Sequence, residues 1–293
     1  MERIKEKTSF SGTLALSAAM TAAAHPLTYV KVLIQVGHEP IAPVPATTIF
    51  GKQVWYLPNV FQYARYIKQV DGWFGLYRGV GPRVVHNIVN TSICNAVSHN
   101  IKEMQKVEDD AAPPPDSVQQ FIRDTGNAAV SRAAGVLVSY PLHMISVRMM
   151  VQFIGREVHY QSIWSSMKEI YQEEGILGFF SGIVPHLIGE LLSLTVFRTL
   201  TYLINTYIID HELIQLAEMR NYSSGVSQYV ANMITYPFTL VANLMVVNQT
   251  RLVAGNPPLM PIYESWTHCW VELGKKGLRN RGSSLFRRAV HRI

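Results

Sequence analysis

Long apolar stretches alternate with short polar ones along this chain, and the polar residues inside the apolar stretches recur at helical spacing. Five segments have the roughly 20 mostly apolar residues that a membrane span needs: about Phe10 to Gln35, Arg83 to Met104, Val118 to Gln152, Pro185 to Ile209 and Tyr222 to Gln249. Plotted at about 100° per residue, each carries a polar stripe. Thr13, Ser17, Thr21, Thr28, Lys31 and Gln35 align in the first, and Asn87, Asn90, Thr91, Asn95, Ser98 and Lys102 in the second. The third contributes Gln120, Arg123, Asp124, Asn127 and Ser131, with Arg148 beyond its proline; the fourth contributes His186, Glu190, Ser193, Arg198, Thr201 and Asn205. Gln228, Asn232, Thr235, Thr239 and Asn243 mark the fifth. Segments around Phe61 to Val70, Ser162 to Glu173 and Ser265 to Lys275 are too short and polar to span and suit interfacial helices.

The pattern repeats. His25-Pro26, Tyr140-Pro141 and Tyr236-Pro237 each sit inside a long apolar stretch, at spacings of 115 and 96 residues. Proline in a helix interior removes one backbone hydrogen bond and bends the helix, so Pro26, Pro141 and Pro237 are expected to kink three spans. A second block, Asp71-Gly72 and Gly75-Leu76-Tyr77-Arg78-Gly79 with Pro82, returns 103 residues later as Glu174-Gly175, Gly178-Phe179-Phe180-Ser181-Gly182 and Pro185. The third copy is degraded to Lys276-Gly277, and the 11 residues after Gly282 are too few and too basic for a sixth span. The expected organisation is one membrane domain over 1–293, with repeat one at 8–105, repeat two at 118–210 and a truncated repeat three at 221–293. Proline-rich linkers are expected at Glu39 to Pro58, Lys106 to Ser117 and Ala254 to Ile262.

Composition narrows the chemistry. Only 16% of residues are charged, below the roughly 25% usual for soluble chains, which agrees with a membrane setting. The net charge of +6 is scattered rather than gathered with stacking aromatics, so no nucleic-acid partner is expected. Cys94 and Cys269 match no metal-ligand spacing. With no phosphate-binding loop, His-Glu-x-x-His or nucleophile elbow, neither an enzyme, a cofactor nor a metal is expected. Trp55, Trp73, Trp164, Trp266 and Trp270 lie near the proposed span boundaries, as in an aromatic belt.

These motifs resemble the mitochondrial carrier family, whose repeats carry Pro-x-(acidic)-x-x-(basic) on alternate helices, followed by an acidic-Gly and aromatic-x-Gly block. Of the six charged positions this chain keeps only Lys31; Thr28, His143, Ser146, Thr239 and Ala242 occupy the others. Tyr29 to Gly37, Gln152 to Glu157 and Glu173 to Phe180 are similar to a divergent branch of that family in the mitochondrial outer membrane. That resemblance implies a multi-pass outer-membrane protein that inserts α-helical clients, including tail-anchored ones, moves phospholipids between leaflets and docks apoptotic and metabolic partners.

The sequence thus predicts an all-α membrane protein, a mitochondrial-carrier-like threefold pseudo-repeat with five transmembrane helices, the sixth missing, and a laterally open polar groove. Without its acid–base pairs, an alternating-access gate loses its ionic switch. A polar groove open to hydrocarbon would instead let a client's tail or a lipid headgroup cross, lowering its desolvation cost. Lys31, Glu190 and Arg198, then Asn87, Asn95, Asn232 and Asn243, are the expected lining. Two of these have structural alternatives: Glu190, which shares its face with Arg198, could form an ion pair within its helix or across the bundle, and Lys31 could reach an interface. Arg132 falls off its stripe and has no assigned role. Rival readings are a solute carrier with a degenerate gate and a docking scaffold recruiting partners through its loops.

Overall fold

The structure is a computed structural model and describes residues 2–47, 51, 53–108, 118–206, 217–286 and 288–289. Five long helices follow the five apolar segments: α1 (Glu2–Val36), α3 (Val80–Glu108), α4 (Val118–Val151), α6 (Ile183–Ile204) and α7 (Ala217–Val247). Three short ones, α2 (Val60–Gly75), α5 (Ile163–Gly178) and α8 (Trp266–Lys275), fall at the expected interfacial segments. Pro26, Pro141 and Pro237 lie inside α1, α4 and α7. Among the described residues, α4, α6 and residues Tyr222–Val247 of α7 are long and apolar enough to cross a bilayer. The other two, α1 and α3, have the length, but polar residues dilute them; α3 alone carries Arg83, Asn87, Asn90, Asn95, His99 and Lys102.

The repeat is visible in the backbone. Asn59, Ser162 and Ser265, each 103 residues apart, cap α2, α5 and α8 by accepting a hydrogen bond from the backbone N–H of the third helical residue. Gly72 and Gly175 break α2 and α5 at matching places. The aromatic-x-Gly block ends at Gly79 and Gly182, with φ of 81° and 78°, and Gly282 repeats that turn with φ of 79°. After Gly79 and Gly182 the chain starts α3 and α6; after Gly282 the described residues run instead into a short extended strand.

That strand is one departure from an all-helical protein. Residues expected to be only a proline-rich linker form a hairpin, β1 (Val44–Thr47) against β2 (Gln53–Leu57), with Val44 opposite Tyr56 and Thr47 opposite Gln53. Pro45, which lacks an N–H, is tolerated because β1 is an edge strand. On the other edge of β2 lies β3 (Arg288–Ala289). Arg288 anchors it by donating to the Pro58 carbonyl at 3.1 Å and pairing with Glu39.

Two compact units emerge, and they cut across the repeats. Unit 1 comprises residues 1–88, 140–182 and 240–293; unit 2 comprises 89–139 and 183–239. In unit 1, α4 is tied down by Arg148, whose side chain is fully buried. Its guanidinium meets both oxygens of Glu174 on α5, at 2.5 and 2.8 Å, and donates through Nε to the Val246 carbonyl of α7 at 3.0 Å. Removing the carboxylate strands a buried cation. Glu174→Gln is therefore expected to destabilise the protein by about 3–5 kcal/mol, while the double change Arg148→Met with Glu174→Leu recovers most of that loss. Thermal unfolding in detergent checks both.

Candidate functional site

In unit 1 the segments following the three prolines pack together, and the period of the repeat sets which residues meet. Three layers, at the third, fourth and seventh positions after each proline, are fully buried: Tyr29, Met144 and Leu240; Val30, Ile145 and Val241; Leu33, Arg148 and Leu244. Eight of these nine side chains are uncharged, so the centre of unit 1 is filled by packing. The equivalent charge positions of the family add little: Ser146 and Ala242 are fully buried, and Lys31 is half-buried within the field of Arg83.

The joints between these helices are made by backbone approach. A Cβ on Gly79 would lie 2.8 Å from the Ser146 carbonyl, and one on Gly182 would lie 2.7 Å from the Ala242 carbonyl. Only glycine combines that clearance with the positive φ of both turns. Matching hydrogen bonds reinforce the joints. Ser146 Oγ donates to the Gly79 carbonyl at 2.8 Å, and Ser181 Oγ donates to the Met245 carbonyl at 2.8 Å. The His25 ring lies 2.9 Å from the Arg78 carbonyl, and Tyr140 donates to the equivalent Ser181 carbonyl at 2.6 Å. The third joint has a different solution: Arg281 donates to the Gln35 carbonyl at 2.5 Å, and Asn243 donates to Gln35 Oε1 at 2.8 Å. This end of unit 1 is thus held by packing, glycine–carbonyl contacts and hydrogen bonds to backbone carbonyls.

Unit 2 is built differently. Besides Val136 and Tyr236, the buried residues of α4 and α7 in this unit are small and spaced by four: Ser131, Gly135 and Ser139 on α4, and Ser223, Ser227, Ala231 and Thr235 on α7. Such rows let membrane helices approach closely where lipid offers no hydrophobic driving force. A Cβ at Gly135 would collide with Asn90 and Cys94 of α3, and Gly189 of α6 packs on Phe238 of α7. Between α4 and α6, Phe121 stacks on Tyr202 with ring centroids 4.6 Å apart, and Arg132 faces Glu190 at 3.9 Å. The side chains of that ion pair each remain 39% exposed. Only Pro185 and Gly189 of α6 are buried.

The expected lining residues divide accordingly. Asn95 and Asn232 are exposed, and Glu190 and Arg198 are half-exposed, all in unit 2. Glu190 takes Arg132 as its partner rather than Arg198, which gives Arg132 the role that its off-stripe position left open. Two asparagines are helix contacts. Asn87 donates to Thr21 Oγ1 at 2.8 Å, joining α3 to α1; Asn243 is buried, with its amide committed to Gln35, so it lines no groove. The sequence also underrated Arg148, Tyr140 and Arg281. Pairing each proline repeat with its glycine block at equal offsets brings the first two to their partners, whereas Arg281 stands in the copy where that register fails.

The chain matches the family described as Mitochondrial carrier protein over residues 7–108 and 117–212. It is 44% identical to Mitochondrial carrier homolog 2 of Bos taurus over 280 residues, covering 94% of this chain and 92% of that one. The human protein of that name is 44% identical over 283 residues, with the same coverage. Mitochondrial carrier homolog 1 of Mus musculus is 40% identical over 298 residues, covering 94% of this chain and 76% of its own length.

The division among the asparagines is testable with thiol labelling. In a Cys94→Ala background, Asn95→Cys and Asn232→Cys are expected to react with a membrane-impermeant thiol reagent in liposomes, and Asn243→Cys is not. Cys269 serves as an internal control, since it is fully buried and burial pushes its thiol up to about 12, leaving almost no thiolate. Equal labelling of Asn95→Cys and Asn243→Cys would contradict the assignment.

Proposed function

The chain belongs to the mitochondrial carrier family, and from that premise we propose that it inserts α-helical proteins, tail-anchored ones included, into the mitochondrial outer membrane. The work is done along polar helix faces open to lipid, and phospholipids cross by the same faces. The observation that carries this reading is the contrast between the two units. Unit 1 is filled by packed side chains and glycine–carbonyl joints, whereas unit 2 keeps an ion pair half-exposed within helices apolar enough to span.

Solute exchange by alternating access requires an end that opens and closes by making and breaking ion pairs. Interlocked packing has no such switch, because opening it separates close-packed surfaces along three joints. A half-exposed charge at bilayer depth, by contrast, costs at least about 2.5–3.5 kcal/mol without water or a partner. Water held at such charges supplies the polar environment that a client's hydrophilic tail needs while its apolar helix moves sideways into the bilayer. No nucleotide or bond-making step enters. On this reading Glu190 pairs with Arg132; Asn95, Asn232 and Arg198 add polar side chains in unit 2; and Lys31 contributes a separate charge in unit 1.

The test is client insertion by purified protein in liposomes. Glu190→Arg places two cations together on α4 and α6 and is expected to lower tail-anchored insertion about tenfold. Lys31→Glu is expected to change it by a similar factor. A reversal that leaves insertion unaffected would remove that residue from the proposed role, and saturable uptake of a small metabolite would favour the solute-carrier reading instead.

A further inference from the structure

The charges of unit 2 are spaced along α6 in a way that suits one kind of traveller. This helix has 22 residues, about 33 Å at 1.5 Å per residue, close to the roughly 30 Å thickness of a bilayer's hydrocarbon. Glu190 lies about 10 Å from one end and Arg198 about 9 Å from the other. Glu190 binds Arg132 from α4, and Arg198 makes no ion pair among the described residues. Two guanidiniums therefore stand at two depths, about 12 Å apart along the helix. Glu190 pairs with Arg132, whereas Asp124 of α4, level with Arg198 on the register of the Phe121–Tyr202 and Arg132–Glu190 contacts, is exposed and makes no ion pair with it. Arg132 is held loosely. Its 3.9 Å separation from Glu190 is beyond hydrogen-bond length, and both side chains are 39% exposed.

We infer that Arg198 and Arg132 are successive stations for the phosphate of a glycerophospholipid, through which the polar face of unit 2 moves phosphate-bearing lipids in preference to lipids without a phosphate. This rests on the proposed lipid-moving activity and specifies its substrate. A guanidinium binds phosphate with two parallel hydrogen bonds. At Arg198 the phosphate meets a cation that makes no ion pair among the described residues. At Arg132 it displaces Glu190, whose carboxylate takes Arg132 back when the lipid leaves, so the empty station is not a bare cation in hydrocarbon. Apolar neighbours suit the acyl chains: Leu192 and Leu203 of α6 are 36% and 42% exposed, and the Phe121–Tyr202 stack lies one turn beyond Arg198. A polypeptide tail would need continuous polar contact along the path. Two point cations, Arg198 on α6 and Arg132 on α4, with exposed leucines beside them, instead fit a single anion attached to hydrocarbon.

The experiment compares fluorescent phosphatidylglycerol with fluorescent glucosylceramide, whose headgroup is polar but lacks phosphate, in phosphatidylcholine liposomes holding the full chain. The wild-type protein is expected to move phosphatidylglycerol about tenfold faster, from the attraction of one unit charge at short range. Arg198→Gln is expected to bring the ratio of the two rates towards one, and Arg198→Lys to restore part of it. Adding millimolar inorganic phosphate should leave the ratio unchanged, as the station takes a lipid-borne rather than a free phosphate. Equal wild-type rates would overturn the inference without needing any variant. It would be overturned equally by Arg198→Gln slowing both lipids alike, or by free phosphate erasing the preference. Altered insertion of acid-tailed clients with lipid rates untouched would assign the cations to polypeptide and overturn it too. Client insertion with no lipid movement sinks this inference but leaves the insertase reading; loss of both sinks the two together.

Discussion

Everything distinctive about this protein depends on how unit 1 is held shut. Two glycine turns press against the carbonyls of Ser146 and Ala242, close enough that a methyl group at either place would collide with the backbone. Around them, three layers of buried side chains repeat the same register after each proline. Contacts of this kind are short-ranged and geometric: they are complete when the surfaces meet and are lost together when they part. Ion pairs behave differently, because they act over distance and can exchange partners. Replacing the second kind of closure by the first changes a gate into a wall.

Removing that function from one unit gives the polar residues of the other a different task. Unit 2 assembles through rows of serine, glycine, alanine and threonine, which bring helices together without covering them. Only Pro185 and Gly189 of α6 are buried, and its ion pair with Arg132 is stretched and half-exposed. Such a unit leaves charged and polar side chains half-exposed, as the proposed work on the membrane requires. Arg148 illustrates the opposite use of charge. Fully enclosed by Glu174 and the Val246 carbonyl, it secures three elements of unit 1 and is unavailable to any ligand.

Much of the architecture was legible in the sequence because it rests on local chemistry. Proline inside apolar runs marked α1, α4 and α7; the glycine blocks marked the turns that launch α3 and α6; polar stripes at helical spacing marked the faces. What escaped was whatever depends on a partner far away in the chain. Asn243 and Asn232 belong to the same stripe of α7, yet one is buried against Gln35 and the other is exposed, because α7 changes neighbours along its length. Arg132 looked misplaced only until its partner on α6 was known. The hairpin of β1 and β2 was hidden by its prolines, and β3 by its two-residue length, since a strand that short has no periodicity to read.

The most direct test of the central claim is to lock unit 1. Ser181 and Met245 meet at the joint between the second and third copies, so Ser181→Cys with Met245→Cys can be joined by a short bifunctional thiol reagent in a Cys94→Ala background. If the closure is a wall, the cross-linked protein inserts tail-anchored clients and moves lipids in liposomes at the rate of the uncross-linked one. Loss of both activities on cross-linking, with recovery when the link is cleaved, would show that unit 1 must open and would contradict the account.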